Sequence, residues 1–324
     1  GDYGHIVSSD GGSSVWTDYP GFVMYYPDIA NSTEMVSWDF QGSGYLWLPP
    51  IMNDPEQPNI VYIGGGGINS QNHMVKVTYG IGGMYAEDLE YSFDSKISAM
   101  AYSPISINNW YVSTEDGHFF YSDDSGVSFT ETSNFSGPES HYFYGSSILP
   151  SPINSERIYI GGSGYSNPGI YLSQDGGATF ESFDQGLPNT LVYGLACLPD
   201  ESMIFAATEV GPYCFSFEDG NWEDMSNDAA PEQVYWSVEY IHEIKTVRFG
   251  TYGRGIWDYT FDYNPILEIG DINQDELVNV DDFISLVAIL MSEQEISEHI
   301  LALGDINFDD KLDIYDLLLL ADMI

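Results

Sequence analysis

The sequence predicts a mainly-β protein: a six- or seven-bladed β-propeller followed by a small α-helical, Ca²⁺-binding domain. Three observations carry this. A strand motif recurs with a period in the forties, a turn signature recurs within the repeat, and the last 55 residues hold an oxygen-rich loop twice. Each of those two loops leads into an apolar stretch that reads as a helix.

The repeat is read from strands that follow a Pro-containing turn. Ile60–Gly64, Trp110–Thr114, Ile158–Gly161, Ile204–Thr208 and Val247–Thr251 superpose, and their markers Tyr62, Tyr111, Tyr159, Phe205 and Phe249 lie 49, 48, 46 and 44 residues apart. Short β-branched and aromatic strands at that period, joined by Gly turns, are the mark of propeller blades. One unit resolves into four strands linked by hairpins: Ile97–Ser103, Trp110–Thr114, His118–Ser122 and Ser128–Thr132. Full blades are expected near 47–92, 97–133, 144–184 and 191–226, with strands of another at 233–261. The stretch 1–46 reads as irregular, with about a blade and a half compressed into it. Six blades is the simplest total, seven if sequence precedes the chain.

The turn signature reads Ser-x-Asp-x-Gly-x-Ser/Thr-aromatic at Ser122–Phe129 and Ser173–Phe180, with a near copy at Ser8–Trp16 and a decayed one at Ser216–Trp222. An Asp side chain there bonds turn amides, Gly takes a positive φ, and the aromatic anchors the hairpin. These turns resemble the Asp-boxes shared by sialidases, xyloglucanase-type glycosidases and sortilin-like propellers, and Phe249–Trp257 resembles the closing blade of the latter groups. The resemblance implies a fold over about four fifths of the chain, and it specifies fold more than chemistry.

The C-terminal loops are Asp271-Ile-Asn273-Gln-Asp275-Glu-Leu277-Val-Asn279-Val-Asp-Asp282 and Asp305-Ile-Asn307-Phe-Asp309-Asp-Lys311-Leu-Asp313-Ile-Tyr-Asp316, starting 34 residues apart. Oxygen side chains at positions 1, 3, 5, 9 and 12 are spaced to wrap a hard cation. A loop and one helix, given twice with Asp at position 12, resembles the type I dockerin. That resemblance implies two Ca²⁺ ions and docking to a cohesin-like partner. It assigns side-chain oxygens of Asp271, Asn273, Asp275 and Asp282 to the first ion, with the Leu277 carbonyl and with Asn279 acting directly or through water. Asp305, Asn307, Asp309 and Asp316 do the same for the second, with the Lys311 carbonyl and Asp313. Position 6, usually Gly, is Glu276 and Asp310. The partner-choosing pairs are Val280-Asp281 and Ile314-Tyr315 rather than the Ser-Thr common in clostridial modules. The expected division is therefore a propeller at 1–265 and a dockerin at 266–324.

With 50 acidic residues against 7 basic, the formal net charge is −43. No basic patch exists to neutralise phosphates, which excludes nucleic acid and anionic membrane as partners; cations are the natural small partners. No apolar run is long enough to span a bilayer. The start, Gly-Asp-Tyr-Gly-His, is turn-like rather than a leader, so a leader has been removed or more sequence lies upstream. Two cysteines, Cys197 and Cys214, cannot make a disulfide framework. Placed on the first and third strands of one sheet, they stand roughly 9–10 Å apart, too far to bridge. Sequons at Asn31 and Asn134 are generic surface signals.

A sialidase would need three converging Arg and an Arg-Ile-Pro signature; Arg157, Arg248 and Arg254 are the only Arg residues, and the signature is missing. A xyloglucanase-type enzyme needs two Asp facing a cleft between two propellers, and this chain has length for one. The turns joining second to third strands gather on one propeller face and are long or decorated here. They place His73, Glu115, Tyr165, Glu209 and Arg254 as candidate binding residues. The expected function is a secreted, cell-surface-associated, Ca²⁺-dependent binding and assembly protein, with the propeller taking a glycan or protein. Its partner is a cohesin-like domain or a neighbouring copy of the chain. The rivals are a polysaccharide-degrading glycoside hydrolase of a cellulosome-like complex and a structural subunit of an extracellular filament or surface layer.

Overall fold

A computed structural model describes residues 4–32, 34–68, 71–138, 147–217, 219–226, 230–260, 270–273, 277–291, 298–307 and 311–324. The chain divides into two compact units, residues 1–239 with 248–258, and residues 240–247 with 259–324.

The first unit is a β-propeller. Its sheets are blade 1 (β1 Ile6–Val7, β2 Val15–Tyr19, β3 Phe22–Tyr26, β4 Val36–Asp39), blade 2 (β5 Ile51–Asn53, β6 Ile60–Gly64, β7 His73–Gly80, β8 Gly83–Ser92) and blade 3 (β9 Ile97–Tyr102, β10 Trp110–Thr114, β11 Phe119–Ser122, β12 Thr130–Glu131). Blade 4 follows (β13 Ser147–Pro150, β14 Ile158–Gly161, β15 Ile170–Ser173, β16 Glu181–Ser182), then blade 5 (β17 Val192–Cys197, β18 Met203–Thr208, β19 Pro212–Ser216, β20 Asn221–Asp224) and blade 6 (β21 Tyr235–Ile241, β22 Thr246–Thr251, β23 Ile256–Thr260), of which residues 240–241, 246–247 and 259–260 fall in the second unit. Within each sheet the strands lie side by side in chain order and pair antiparallel; five sheets have four strands and blade 6 has three among the described residues. Residues 1–46 hold one blade, not one and a half. Strands β1 to β4 are short and tightly connected, and the remainder crosses to blade 2 through bridges Gly42–Gly67 and Tyr45–Gly65.

All five sequence markers lie buried on the second strand of their blade. They work at the seams between blades. Tyr62 meets Trp110 edge-on at 4.7 Å, and the Tyr111 hydroxyl donates to the Ser155 carbonyl. Apolar clusters fill the seams from blade 1 to blade 5, for example blades 1 and 2 around Trp16, Val23, Val61 and Val75, and blades 4 and 5 around Tyr159, Leu172, Ile204 and Trp222. Indole N–H groups are satisfied across the same seams, Trp16 by the Pro58 carbonyl and Trp222 by the Phe183 carbonyl. Burying ring area while pairing each donor is what fixes a blade against its neighbour.

The repeated turn forms one hydrogen-bond circuit three times. In blade 3, the Ser122 hydroxyl donates to Asp124 and accepts from the Gly126 amide, and Asp124 accepts from the Ser128 amide and hydroxyl at 2.9 and 2.7 Å. Ser173–Thr179 and Ser8–Ser14 repeat it atom for atom. The decayed copy at 216–222 instead closes with the Gly220 amide on the Ser216 carbonyl.

The second unit carries α1 (Val280–Leu290), α2 (Glu298–Gly304) and α3 (Ile314–Met323). Its core is Ile272, Leu286, Leu303, Leu312 and Leu320. The core keeps the 34-residue repeat, since Leu286 and Leu320 are equivalent positions and both are fully buried.

Candidate functional site

Blades 2 to 6 send their innermost strands to a central cavity of about 760 Å³ within the first unit, and Gly4 and His5, just before β1, complete its lining. His5, Ile51, Ala99, Ile148, Tyr193 and Trp236 each line it from a different blade or its approach, and the blade 6 turn adds Thr251, Tyr252 and Ile256. Because first and second strands run antiparallel, the start of each inner strand lies at the same end as the turn after the second strand. The cavity lining thus belongs to the face that the sequence singled out.

Three rings form a ladder on that lining. Tyr193 and Trp236 stack at 4.8 Å and 29°, and Trp236 meets Tyr252 at 5.8 Å and 51°. Tyr252 is 62 % exposed. Ser98, Ser147, Ser237 and Thr251 also belong to the lining, and His5 is the sole titratable histidine or acid on it among the described residues. The His5 imidazole is held by Asp18, Nδ1 to Oδ2 at 3.2 Å, with the carboxylate buried behind it.

The sequence candidates on this face fare differently. His73 is buried on β7, with its ring nitrogens 2.8 Å from the Tyr91 carbonyl and from the Gln71 side chain; it is a satisfied internal histidine, not a surface imidazole. Tyr165 and Glu209 come together across blades 4 and 5, the phenol donating to the carboxylate, and that bond holds the phenol's pKa above its ordinary value. Glu115 is half-buried, its amide bonded to the Lys96 carbonyl, and Arg254 is exposed. Sequence reasoning missed Tyr193 and Trp236. The signal was available: aligning the inner strands on buried Ile97, Val192 and Tyr235 puts Ser98, Tyr193 and Trp236 at one repeat position.

In the second unit, Asn279 and Asp313 cap α1 and α3 in reciprocal capping boxes with Asp282 and Asp316. Asp282 is fully buried and accepts from the Asn273 amide at 3.0 Å and the Asn279 amide at 2.8 Å. Asp316 is its double, accepting from the Ile306, Asn307 and Asp313 amides. The first and last side chains of each loop, Asp271 with Asp282 and Asp305 with Asp316, are all buried. Leu277 and Lys311, which the dockerin resemblance reads as carbonyl donors, are among the described residues, whereas Asp275, Glu276, Asp309 and Asp310 lie outside them. No three His, Cys, Asp or Glu side chains among the described residues converge as a metal cluster. The donor set is nonetheless all oxygen. Each carboxylate accepting two or three amides keeps unshared lone pairs, and two buried carboxylates per loop call for positive charge.

Cys197 and Cys214 lie on β17 and β19, one register step apart: Cys214 pairs Phe205, which pairs Ala196. Their side chains therefore point to opposite faces of the sheet, and both are free.

No protein-family model and no curated protein matches the chain. Among solved structures, one similar fold is an ancestral GH74 enzyme, with TM-score 0.61 and 15 % identity over 82 % of this chain and 37 % of that one. The GH74 xyloglucanase from Xanthomonas campestris gives 0.55 and 14 %, over 80 % and 46 %. The Cps50 (Swd1) β-propeller domain of Myceliophteria thermophila gives 0.57 and 10 %, over 78 % and 81 %. This chain spans less than half the length of either GH74 enzyme. What is shared at these identities is the β-propeller fold.

Proposed function

We propose that the chain is an extracellular, Ca²⁺-dependent assembly protein: a dockerin-like helical unit fastens it to a cohesin-like partner, and the propeller presents its central cavity to a ligand. One observation supports the docking most directly. Val280 and Ile284 on α1, and their 34-residue equivalents Ile314 and Leu318 on α3, are 57–59 % exposed. Apolar side chains at i and i+4, immediately after each capped loop and duplicated by the repeat, make two equivalent apolar stripes. Exposed patches of this kind mark contact surfaces. Two Ca²⁺ ions, held by Asp271, Asn273, Asp275, Leu277, Asn279 and Asp282 and by their equivalents 305–316, would offset the buried carboxylates and fix the loops that start both helices. The serine-aspartate turns, read as Asp-boxes, are structural in this scheme.

The hydrolase reading draws on the fold shared with GH74 enzymes. The cavity lining carries no carboxylate among the described residues to serve as general acid or base, and that favours binding over catalysis.

The test is calorimetric titration of the full chain with a panel of cohesin modules in Ca²⁺. Binding by at least one module is expected, with loss in the double variant Val280→Asp, Ile314→Asp. Association that survives the double variant, or chain self-association as the only interaction seen, sinks the docking assignment.

A further inference from the structure

The cavity's chemistry narrows its ligand class, and the narrowing rests on reading that cavity as the propeller's binding site. We propose that it binds a neutral glycan, with pyranose rings laid against the Tyr193–Trp236–Tyr252 ladder.

The rings are already assembled. Tyr193 and Trp236 stack, and Trp236 leans on Tyr252, so little side-chain freedom remains to be lost on binding. A largely exposed tyrosine at the end of such a ladder offers an apolar face that water wets poorly. The C–H faces of a pyranose match that surface, and its equatorial hydroxyls need partners that both donate and accept. Ser147 and Ser237 are groups of that kind, whereas Ser98 is buried against Ser113 and Thr251 already donates to the Gly255 carbonyl. The Ser147 hydroxyl accepts from the Leu195 amide, which leaves its proton for a ligand. A cavity of about 760 Å³ lies within the range of small-ligand sites.

Charge decides against the nearest competitors. Among the described residues no Lys or Arg lines the cavity, and a chain of net charge −43 repels uronates and sulfated sugars. A quaternary ammonium would suit the acidic field, but it needs rings converging on one point. Here the rings follow one another as a ladder, at 29° and 51°, rather than enclosing a point.

The experiment is affinity gel electrophoresis of the full chain in Ca²⁺ against xyloglucan, galactomannan and polygalacturonate, with choline followed by tryptophan fluorescence. Retardation by a neutral polysaccharide and none by polygalacturonate is expected. Tyr252→Ala, at an exposed site where folding is not at risk, should weaken retention about tenfold, and Tyr252→Phe should restore it. Retardation by polygalacturonate alone, or choline binding that Tyr252→Ala removes, overturns the neutral-glycan assignment while leaving the cavity as the site. Binding indifferent to both Tyr252→Ala and Trp236→Ala, or none to any probe, overturns both.

Discussion

The Tyr159 hydroxyl donates to the Glu201 carboxylate at 2.6 Å across the seam between blades 4 and 5. Glu201 also accepts from the Ser151 hydroxyl at 2.5 Å and from Arg157 at 3.0 Å, and it sits in the left-handed region at φ 56. One buried carboxylate thus gathers three donors from the preceding blade. Its own backbone is bent into an unusual conformation to reach them.

Removing the acceptor should therefore cost more than removing any single donor. Glu201→Ala leaves Arg157 without its partner and two hydroxyls unsatisfied, and should lower propeller stability by about 3–5 kcal/mol. Tyr159→Phe deletes one bond to a charged group, a loss of roughly 1.5–3 kcal/mol. Urea unfolding followed by near-ultraviolet circular dichroism checks the order. Equal effects would mean that Glu201 is not the hub.

Buried and half-buried phenols and thiols set an alkaline limit. Desolvation raises the folded pKa of Tyr45, Tyr62 and Tyr159 above the ordinary 10.0, and raises Cys197 to about 12 and Cys214 to about 11 from 9.0. Groups with raised folded pKa contribute stability that is complete below the unfolded value and lost as pH climbs past it. Stability should fall first above pH 9.0, from the thiols, and more steeply above 10.0, from the phenols. At pH 8, iodoacetamide should label both cysteines slowly in the folded chain and rapidly in urea. Fast labelling of folded Cys197 would contradict its raised pKa.

How much of this was legible in sequence depended on whether a residue's partner is near in the chain. Tyr111 and Tyr159 could be placed because the blade period repeats their surroundings. Ser122, Asp124 and Ser128 could be placed because their circuit closes within seven residues. His73 could not: its burial follows from Tyr91, eighteen residues away on the next strand, which accepts its Nδ1 hydrogen bond. The Trp236 ladder depends on Tyr193 from another blade. A polar residue in a long turn was a poorer guide to the cavity than an aromatic on an inner strand.

Acid should act through the serine-aspartate turns. The Ser128 amide and hydroxyl, with the Ser122 hydroxyl, hold Asp124 down to about 2 from 3.8. Burial works against the lowering at Asp10 and Asp175, yet bonds from Ser14 and Thr179 still depress both. A depressed folded pKa gives stability present above 3.8 and lost as pH falls from there toward 2. Melting temperature should drop over that window, and Asp124→Asn should flatten part of the slope. A wild-type profile level from pH 4 to 2 would refute the claim.

Chelation should strike one unit only. If the loops are filled by Ca²⁺, excess EDTA should melt α1 and α3 with loss of helical circular dichroism, while propeller near-ultraviolet signals persist. Asp316→Ala should weaken Ca²⁺ affinity and also release the Ile306 and Asn307 amides it holds. Helical signal unchanged in EDTA would remove calcium from the account.

Two adjacent glycines separate backbone strain from crowding. Gly176 and Gly177 both have positive φ, 72 and 97. A Cβ on Gly176 would meet nothing within 4 Å, whereas one on Gly177 would stand 2.7 Å from Phe119 in the neighbouring blade. The Gly177 carbonyl also accepts from the Thr132 hydroxyl across that seam at 2.5 Å. Gly176→Ala should cost about 1–2 kcal/mol, the left-handed penalty alone. Gly177→Ala should add about 1–3 kcal/mol of overpacking against the ring. Phe119→Leu, by giving room, should recover part of the second loss and none of the first. Equal costs for the two glycines, measured by urea unfolding, would show that the turn does not brace blade 4 on blade 3.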